Sequence, residues 1–237
     1  MKVGIMQPYF FPYLGYFSLI EYSDTFVFFD TPQYIHHGWI NRNRILKSDG
    51  TDTYFVIPIK KAPRETPINQ IVINENMKWR EAILGQLTVY KRKAPHYDRV
   101  IELVKDVLNY DPSTKMLYEV CIDSLVKTCE YLNLNRDFYT YSKMNIEVDN
   151  VEAPDEWALK ITKAIGGDIY VNPPGGKAFF DKTKYDEVGI DLKFLEQDLK
   201  PYIQKVGKFV PGLSIIDVLM FNNEKDTMNL IQSYHMQ

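Results

Sequence analysis

The sequence predicts an α/β protein built on a mostly parallel sheet with flanking helices. Residues 3–6, 25–29 and 168–171 form short apolar runs, as expected of parallel strands that are covered on both faces. Residues 153–194 then alternate helix, strand, loop, short helix and strand, which is the order of a βαβ unit. We therefore predict a Rossmann-like fold, with an antiparallel excursion and an α-helical lobe added to it.

The individual elements follow from local periodicity and from capping residues. Ser113, Asp155 and Ser214 each precede a periodic apolar run, so each is placed as the N-cap of a helix. Gly166 and Gly167 end the helix before the strand at 168–171. In chain order the predicted elements are strand 3–6, helix 14–22, strands 25–29, 53–59 and 68–73, helices 79–90, 97–108 and 113–132, strand 137–141, helix 156–165, strands 168–171 and 191–194, and helix 214–222.

The chain is predicted to form one domain over residues 1–237. Residues 47–76 are polar, contain prolines and look strand-like, which favours an antiparallel excursion from the main sheet. Residues 77–135 form a mainly helical sub-lobe. Because no segment rich in Gly, Ser or Pro separates these parts, we expect a single α/β domain.

Composition excludes several classes of function. The 237 residues carry a net charge of -3, so the chain has no global electrostatic footprint for nucleic acid. No apolar run approaches 18 residues and no signal peptide precedes the first strand, so we expect a cytoplasmic protein without membrane insertion. Cys121 and Cys129 lie about 12 Å apart along a predicted helix, which favours two buried thiols over a disulfide. The oligomeric state is left open, a homodimer included.

Polar groups follow the strands where each one ends. Gln7 and Tyr9 follow the first strand, Asp30 the second, and Asn172 the sixth. The carboxyl ends of parallel strands line the ligand crevice of open α/β sheets, so we expect these side chains to meet around a polar small molecule. For Asp30 the competing interpretation is a turn residue that bonds its own backbone.

The first helix opens with Tyr13, Gly15 and Tyr16. Their spacing matches the His-x-Gly-His signature of nucleotidyl-transferring Rossmann-like enzymes, with Tyr at both His positions. A phenol is a poor cation, which argues against adenylyl transfer. Gly15 near a helix N-terminus still predicts room for a phosphate against the backbone N–H groups.

A polar cluster that begins at Gln33 contains the candidate proton acceptors. His36 and His37 are the predicted catalytic bases, because a neutral imidazole accepts protons near pH 7. Adjacent residues of an extended segment face opposite ways, so one of the two is expected to face inward, supported by Asp30 or Asp217. No further His or Cys stands at ligand spacing, so no metal is predicted. The competing interpretation is a pair of loop histidines.

Residues 39–44 combine an aromatic platform with amides and guanidiniums. Arginine pairs two-pronged with phosphate or carboxylate, which predicts a substrate-binding role for this segment. One Arg can equally be a salt-bridged surface residue. Alternation predicts two sides, with Trp39, Asn41 and Asn43 on one and Arg42 and Arg44 on the other.

Two further segments are candidate anion sites. Gly175 and Gly176 follow the sixth strand, where backbone amides approach an anion and Lys177 adds charge. Ser214 and Asp217 open the last predicted helix, whose N-terminus favours anions, and Asp217 would hold a His or Arg of the crevice. The competing interpretations are a tight turn for the first segment and ordinary helix capping for the second.

These motifs together resemble the WbqC-like protein family, which is found in bacterial gene clusters for O-antigen and other surface polysaccharides. The resemblance spans nearly the whole chain. The chain departs from the family pattern at two points. It has Asp30-Thr31 where Asp-Asp is common in the family, and His36-His37 where basic residues are common. The resemblance rests on residues 6–13, Gly15-Tyr16-Phe17, Gln33-Tyr34, Gly38-Trp39, residues 41–45, Lys91, Lys93-Ala94-Pro95, Tyr97, Asn172-Pro173, residues 175–177 and residues 211–217.

The resemblance implies modification of a nucleotide-linked sugar. Our leading hypothesis is an acyltransferase that moves an acyl or aminoacyl group from a coenzyme A thioester to the amine of that sugar. The first alternative is an ATP-dependent ligase that joins a carboxylate to an amine on the same fold. The second alternative is a non-catalytic nucleotide-sugar-binding partner of the polysaccharide machinery.

Overall fold

The computed structural model describes residues 1–111, 113 and 115–237. Its strands are β1 (Lys2–Met6), β2 (Thr25–Phe28), β3 (Arg42–Leu46), β4 (Asp52–Val56), β5 (Asp137–Thr140), β6 (Ile169–Asn172), β7 (Asp191–Gln197) and β8 (Tyr234–Met236). Its α-helices are α1 (Leu14–Tyr22), α2 (Trp79–Leu87), α3 (Tyr97–Leu108), α4 (Leu117–Tyr131), α5 (Glu156–Ala164), α6 (Lys182–Glu187), α7 (Ile215–Phe221) and α8 (Glu224–Ile231).

The main sheet has six strands in the order β5-β2-β1-β6-β7-β8. The first five strands of that order run parallel, and β8 pairs antiparallel with β7. The chain moves outward from β1 through β2 to β5 and then returns to the other side of β1 with β6. The predicted α/β class with a mostly parallel sheet is therefore confirmed, and the strand order reverses beside β1, where open sheets bind their ligands.

Alternation along the central strands places apolar side chains on both faces of the sheet. Val3 and Ile5 of β1 and Val27 of β2 pack with residues of α5 and α6. Phe26 and Phe28 of β2 point to the opposite face, into a larger core shared with α1, α7 and the helices α2 to α4. Both faces are covered, which explains why these strands read as continuous apolar runs.

The antiparallel excursion is a separate two-stranded sheet formed by β3 and β4. Its buried residues Ile45 and Phe55 join the same large core as the helices α2 to α4. The predicted strand at 68–73 is wrong, because residues Ile68–Gln70 form a single 3-10 turn. An isolated bridge between Ile59 and Ile73 is the antiparallel pairing that the structure shows there.

Helix ends follow the local hydrogen bonds more than the predicted caps. Ser214 is confirmed as an N-cap, since its side chain accepts from the backbone N–H of Ile216. Asp155 makes no capping bond and instead contacts Lys184 at 3.0 Å. The helix predicted from 113 begins at Leu117; position 114 of the predicted span lies outside the described residues.

Three elements were not predicted as helices or strands at their positions: β3, β8 and α8. Gly166 adopts a positive φ of 73° after α5, which confirms the predicted glycine stop. Among the residues that the structure describes, no helix is both long and apolar enough to cross a bilayer.

Candidate functional site

A cavity of about 1130 Å³ opens at the carboxyl ends of the parallel strands. Register explains its position, because Val3 of β1 pairs with Thr25 of β2 and with Tyr170 of β6, so these strands end at one edge of the sheet. The segments that follow β1, β2, β5 and β6 contribute lining residues, as does the start of α5. The cavity therefore lies where the fold class places a ligand.

Six of the predicted substrate-binding residues line this cavity. Their side chains or backbones approach it from the segments after β1, β2 and β6, as the argument from strand ends expects. They are Gln7, Tyr9, Gln33, Asn172, Gly175 and Gly176.

The lining is aromatic and carries no formal charge. Three amide side chains, Gln7, Gln33 and Asn172, supply hydrogen-bonding groups. Among the described lining residues, none is Asp, Glu, Lys, Arg or His. Seven aromatic rings line the walls: Tyr9, Phe29, Tyr141, Trp157, Tyr170, Phe179 and Phe180.

An aromatic triad, which we define as Phe29, Tyr141 and Trp157, lines the cavity. The strand order β5-β2-β1-β6 places its end of the cavity, beside β2 and β5, across β1 from the end of β6. The ring centroids of Phe29 lie 5.3 Å from Tyr141 and 5.8 Å from Trp157, and those of Tyr141 and Trp157 are 5.8 Å apart. The interplanar angles of 48° to 77° show tilted and edge contacts. The three rings brace one another at the ends of β2 and β5 and the start of α5.

The other end of the cavity is built around Asn172. Its Nδ2 donates to the Tyr170 hydroxyl at 2.6 Å, while its Oδ1 packs against the Cα of Gly176. The Gly176 N–H donates to the Pro173 carbonyl at 3.0 Å. Because the Gly176 N–H already donates within its own turn, it is not free to bind an anion. The predicted anion site in this loop therefore has one backbone donor fewer.

The loop that carries Gln7 and Tyr9 is held by long-range hydrogen bonds to a strained residue. Phe11 is fully buried with φ at +40°, a conformation that a bulky side chain rarely adopts. Its carbonyl accepts from Asn43 Nδ2 at 3.0 Å and from Ser214 Oγ at 2.7 Å. The predicted role of these two residues in substrate binding is therefore corrected, because both are buried and position the loop.

The start of α1 has no room for the predicted phosphate. The ring of Tyr13 lies against Gly15, where an added Cβ would meet a ring carbon at 2.6 Å. Tyr16 is fully buried and its hydroxyl donates to the Gln7 carbonyl at 2.9 Å. Tyr13 and Gly15 thus fill the position where the prediction placed an anion.

The predicted acid–base group lies outside the cavity lining. Asp30 is fully buried, and its carboxylate accepts from the backbone N–H of Ser142 at 3.0 Å and from its hydroxyl at 2.5 Å. This pairing ties the end of β2 to the turn after β5, which corrects its assignment as a base. His36 and His37 are both exposed, and the neighbouring Ile35 reaches the cavity rim in their place.

The predicted alternation is confirmed for residues 41–44, where Asn41 and Asn43 are buried and both arginines are partly exposed, and it is wrong for Trp39. Asn41 is buried and bonds Tyr34 Oη and the Ile57 carbonyl, so it is a structural residue. Trp39 instead lies with the arginines and with Tyr54 on the exposed face of the β3–β4 sheet. Cζ of Arg42 lies 4.5 Å from the Tyr54 ring centroid, and Cζ of Arg44 lies 5.8 Å from that of Trp39.

Two more predicted residues point elsewhere. The Lys177 ammonium contacts Gln237 and the ring of Phe194. Asp217 is fully buried and accepts hydrogen bonds from Tyr90, Tyr202 and Gln204 at 2.5 to 2.8 Å. Burial raises the pKa of the Asp217 carboxyl. Its hydrogen bonds to Tyr90, Tyr202 and Gln204 tie α7 to the surrounding core.

Sequence reasoning missed most of the aromatic lining. Phe29 and Tyr141 end predicted strands and Trp157 lies at the start of a predicted helix, while Phe179 and Phe180 lie between predicted elements. The usable signal is position for three of these rings, since Phe29 and Tyr141 stand just beyond the carboxyl ends of β2 and β5 and Trp157 stands at the start of α5. Phe179 and Phe180 carry no such signal.

The fold and the cavity define an α/β protein with a cavity at its topological switch point whose described lining residues carry no charge. The chain belongs to the WbqC-like protein family, whose sequence profile matches residues 7–229. It is similar to Rv1507c of Mycobacterium tuberculosis (strain ATCC 25618 / H37Rv), described as an uncharacterized protein, with 25% identity over 224 residues and 93% of each chain covered. No solved structure matches the chain.

Proposed function

We propose that the protein is a transferase that acylates the amine of a nucleotide-linked amino sugar during the synthesis of a surface polysaccharide. The observation that carries this proposal is the composition of the cavity: aromatic walls, three amides and no charged side chain among the described lining residues. Aromatic faces suit sugar and base rings, and amides suit hydroxyl groups.

The size of the cavity supports two reacting partners. Typical ligand pockets span about 300 to 1,000 Å³. At about 1130 Å³ the cavity leaves room for the sugar and for the acyl end of a donor. The donor we propose is a coenzyme A thioester.

The uncharged lining would activate the amine by desolvation. An ammonium group that enters the cavity meets no carboxylate among the lining residues that the structure describes, so burial favours its neutral form and lowers its pKa. A neutral amine is the nucleophile that attack on a thioester requires. This activation needs no base inside the cavity. It is therefore compatible with the exposed positions of His36 and His37.

The reaction then balances without a further co-reactant. The amine nitrogen attacks the thioester carbonyl carbon, a C–N bond forms, and the C–S bond breaks. The proton that the nitrogen loses passes through His36 or His37, the exposed neighbours of the lining residue Ile35, and ends on the leaving thiolate. We assign Asn172 Nδ2 as a donor to the tetrahedral oxyanion, because it lies in the cavity wall.

No structural observation favours the ATP-dependent alternative. The ring of Tyr13 packs on Gly15 and Tyr16 is buried, so the start of α1 offers no cradle for a triphosphate. The non-catalytic alternative shares the cavity and differs only in outcome: its ligand would be held and left unchanged.

The direct test is an assay of thiol release from acetyl-coenzyme A in the presence of UDP- and dTDP-linked amino sugars, with the amide product identified by mass spectrometry. Asn172→Ala should lower turnover by about a hundredfold or more, as loss of one oxyanion donor does. Asn229→Ala, at an exposed position on α8, is the matched control and should leave the rate unchanged.

Two results would contradict the proposal. Binding of the nucleotide sugars without any thiol release would favour the non-catalytic alternative. Full turnover in Asn172→Ala would remove the assigned oxyanion donor. His36→Ala and His37→Ala, singly and together, test the proton acceptor separately from the cavity.

A further inference from the structure

The two ends of the cavity differ in chemistry. The aromatic triad of Phe29, Tyr141 and Trp157 forms one end, next to the apolar side chains of Pro154 and Ala158. The opposite end holds Asn172, the hydroxyl of Tyr170 and the turn at Gly176. A ligand that fills the cavity must therefore present a flat apolar part to one end and hydrogen-bonding groups to the other.

The triad suits a planar, uncharged ring system. Its rings are held at fixed angles by mutual edge contacts, and each is only half-buried, so ring surface remains open to the cavity. Aromatic faces stack on nucleobases with little dependence on which base is present. The triad has no cationic partner for a phosphate among the described lining residues.

The residues beside the triad can recognise the edge of such a ring. Gln33 lines the cavity, and its Nε2 donates a hydrogen bond to the Arg64 carbonyl at 2.8 Å. That bond fixes the amide and leaves Oε1 as an acceptor. Thr31 adds a hydroxyl from the same segment. An acceptor and a hydroxyl in the segment that follows Phe29 of the triad fit the N–H and C=O groups on the edge of a base.

We infer that the aromatic triad is a nucleobase subsite and that the sugar of the same ligand lies at the Asn172 end. This assignment rests on the proposed function for the identity of the ligand as a nucleotide sugar. It adds an orientation, because the base occupies the end formed by β2, β5 and α5, and the group to be modified lies beside β6.

The test uses uridine, which carries a base and neither an amino sugar nor a phosphate. Titration with uridine should quench the fluorescence of Trp157 saturably, and the Trp157→Phe variant should lose that quenching. By calorimetry, Trp157→Leu and Phe29→Leu should weaken uridine about tenfold or more, the loss expected when one stacking ring is removed. Phe29→Tyr keeps the ring and should keep the affinity, which covers the case where Phe29→Leu fails to fold.

Two controls separate the ends of the cavity and the outside surface. Asn172→Ala should weaken a UDP-linked amino sugar and leave uridine affinity unchanged. Trp39→Leu removes an exposed ring outside the cavity and should alter neither. Octanoate tests the competing occupant, an acyl chain, and should not displace uridine.

Three results would overturn the subsite. In the first, octanoate displaces uridine. In the second, Asn172→Ala and Trp157→Leu lose the same amount of uridine affinity. In the third, neither Trp157→Leu nor Phe29→Leu changes the affinity for uridine. Each is distinct from failure of the proposed acyl transfer. Uridine can bind at the triad of a protein that releases no thiol, and thiol release can persist in a protein whose triad does not bind the base.

Discussion

Gly176 is the residue whose lack of a side chain shapes the Asn172 end of the cavity. A Cβ at this position would overlap Oδ1 of Asn172 and lie 2.8 Å from a ring carbon of Phe180. Both neighbours line the cavity, so any adjustment to a larger residue moves the cavity wall. Its neighbour Gly175 has no atom within 4 Å of an added Cβ.

We therefore predict that Gly176→Ala weakens the binding of UDP-linked amino sugars while Gly175→Ala does not. The displaced Asn172 amide should cost the ligand about one hydrogen bond, or roughly 0.5 to 1.5 kcal/mol. Calorimetric titration of both variants measures the difference, and thermal melting checks that each is folded. Equal affinities in the two variants would show that Asn172 does not contact the ligand.

The polar motif residues show what a sequence does and does not disclose at this scale. Gln7 and Asn172 follow strands that share an edge of the sheet, so topology alone placed them in the cavity. Asn41, Asn43 and Ser214 carry the same chemistry, and their side chains instead bond backbone carbonyls at Ile57 and Phe11. A buried polar group needs a partner, and the sequence does not say whether that partner is a ligand or the backbone.

At the scale of elements, the start of α5 is fixed by a network of charged groups. Glu156 accepts from Lys160 at 2.8 Å, from the Glu152 N–H at 3.0 Å and from Lys184 at 3.1 Å. These bonds lower the pKa of Glu156 to about 2, with the Lys160 contact the largest cause. Trp157, the next residue, belongs to the triad, so this network also positions the cavity wall.

The network makes the free energy of unfolding depend on pH in the acid range. The pKa of Glu156 in the folded protein lies below its ordinary value of 4.5, so its contribution is present above pH 4.5 and is lost as the pH falls towards 2. We predict that Glu156→Gln lowers the free energy of unfolding at pH 7 and that its difference from the parent shrinks at pH 3. Urea unfolding at both values measures this.

The exposed Glu187 at the end of α6 supplies the control. Glu187→Gln should leave the free energy of unfolding close to that of the parent protein at both pH values. A difference between Glu156→Gln and the parent that stays constant from pH 7 to pH 3 would mean that the Glu156 carboxylate is not held as the contacts indicate.

Elements with a strong period were predictable, and those made by tertiary contacts were not. The bounds of α1 and α3 match the predicted spans, and in α3 the apolar residues repeat at helical spacing. The strand β3 was missed because Asn43 is buried through its bond to Phe11, which breaks the usual alternation of apolar and polar residues. The 3-10 turn at Ile68–Gln70 lies in an apolar stretch that imitates a strand.

At the scale of the molecule, the helices α2 to α4 are bound to the main sheet by specific contacts as well as by the shared core. Ser124 of α4 accepts from the backbone N–H of Phe11 at 3.0 Å. The thiol of Cys121, on the same helix, contacts the Ile40 carbonyl at 3.2 Å. Both bonds reach segments that adjoin the cavity, so the lobe supports the loop after β1 and the approach to β3.

We predict that the lobe and the sheet unfold in one transition. Cys121 and Cys129 are free and fully buried in α4, and burial raises the pKa of both thiols, so neither should react with a thiol reagent in the folded protein. Labelling in urea should therefore follow the same midpoint as the fluorescence of Trp157, which reports on the sheet edge. The fluorescence is read in a variant with Trp39→Phe and Trp79→Phe, because Trp79 lies in the lobe. An added Cys at the exposed position 229 should label without denaturant and confirm that the reagent is active. If Cys121 is labelled at a lower urea concentration than the one at which Trp157 fluorescence changes, the lobe opens on its own. Hydrogen bonds such as the one that Ser124 accepts would then be too weak to couple the lobe to the sheet.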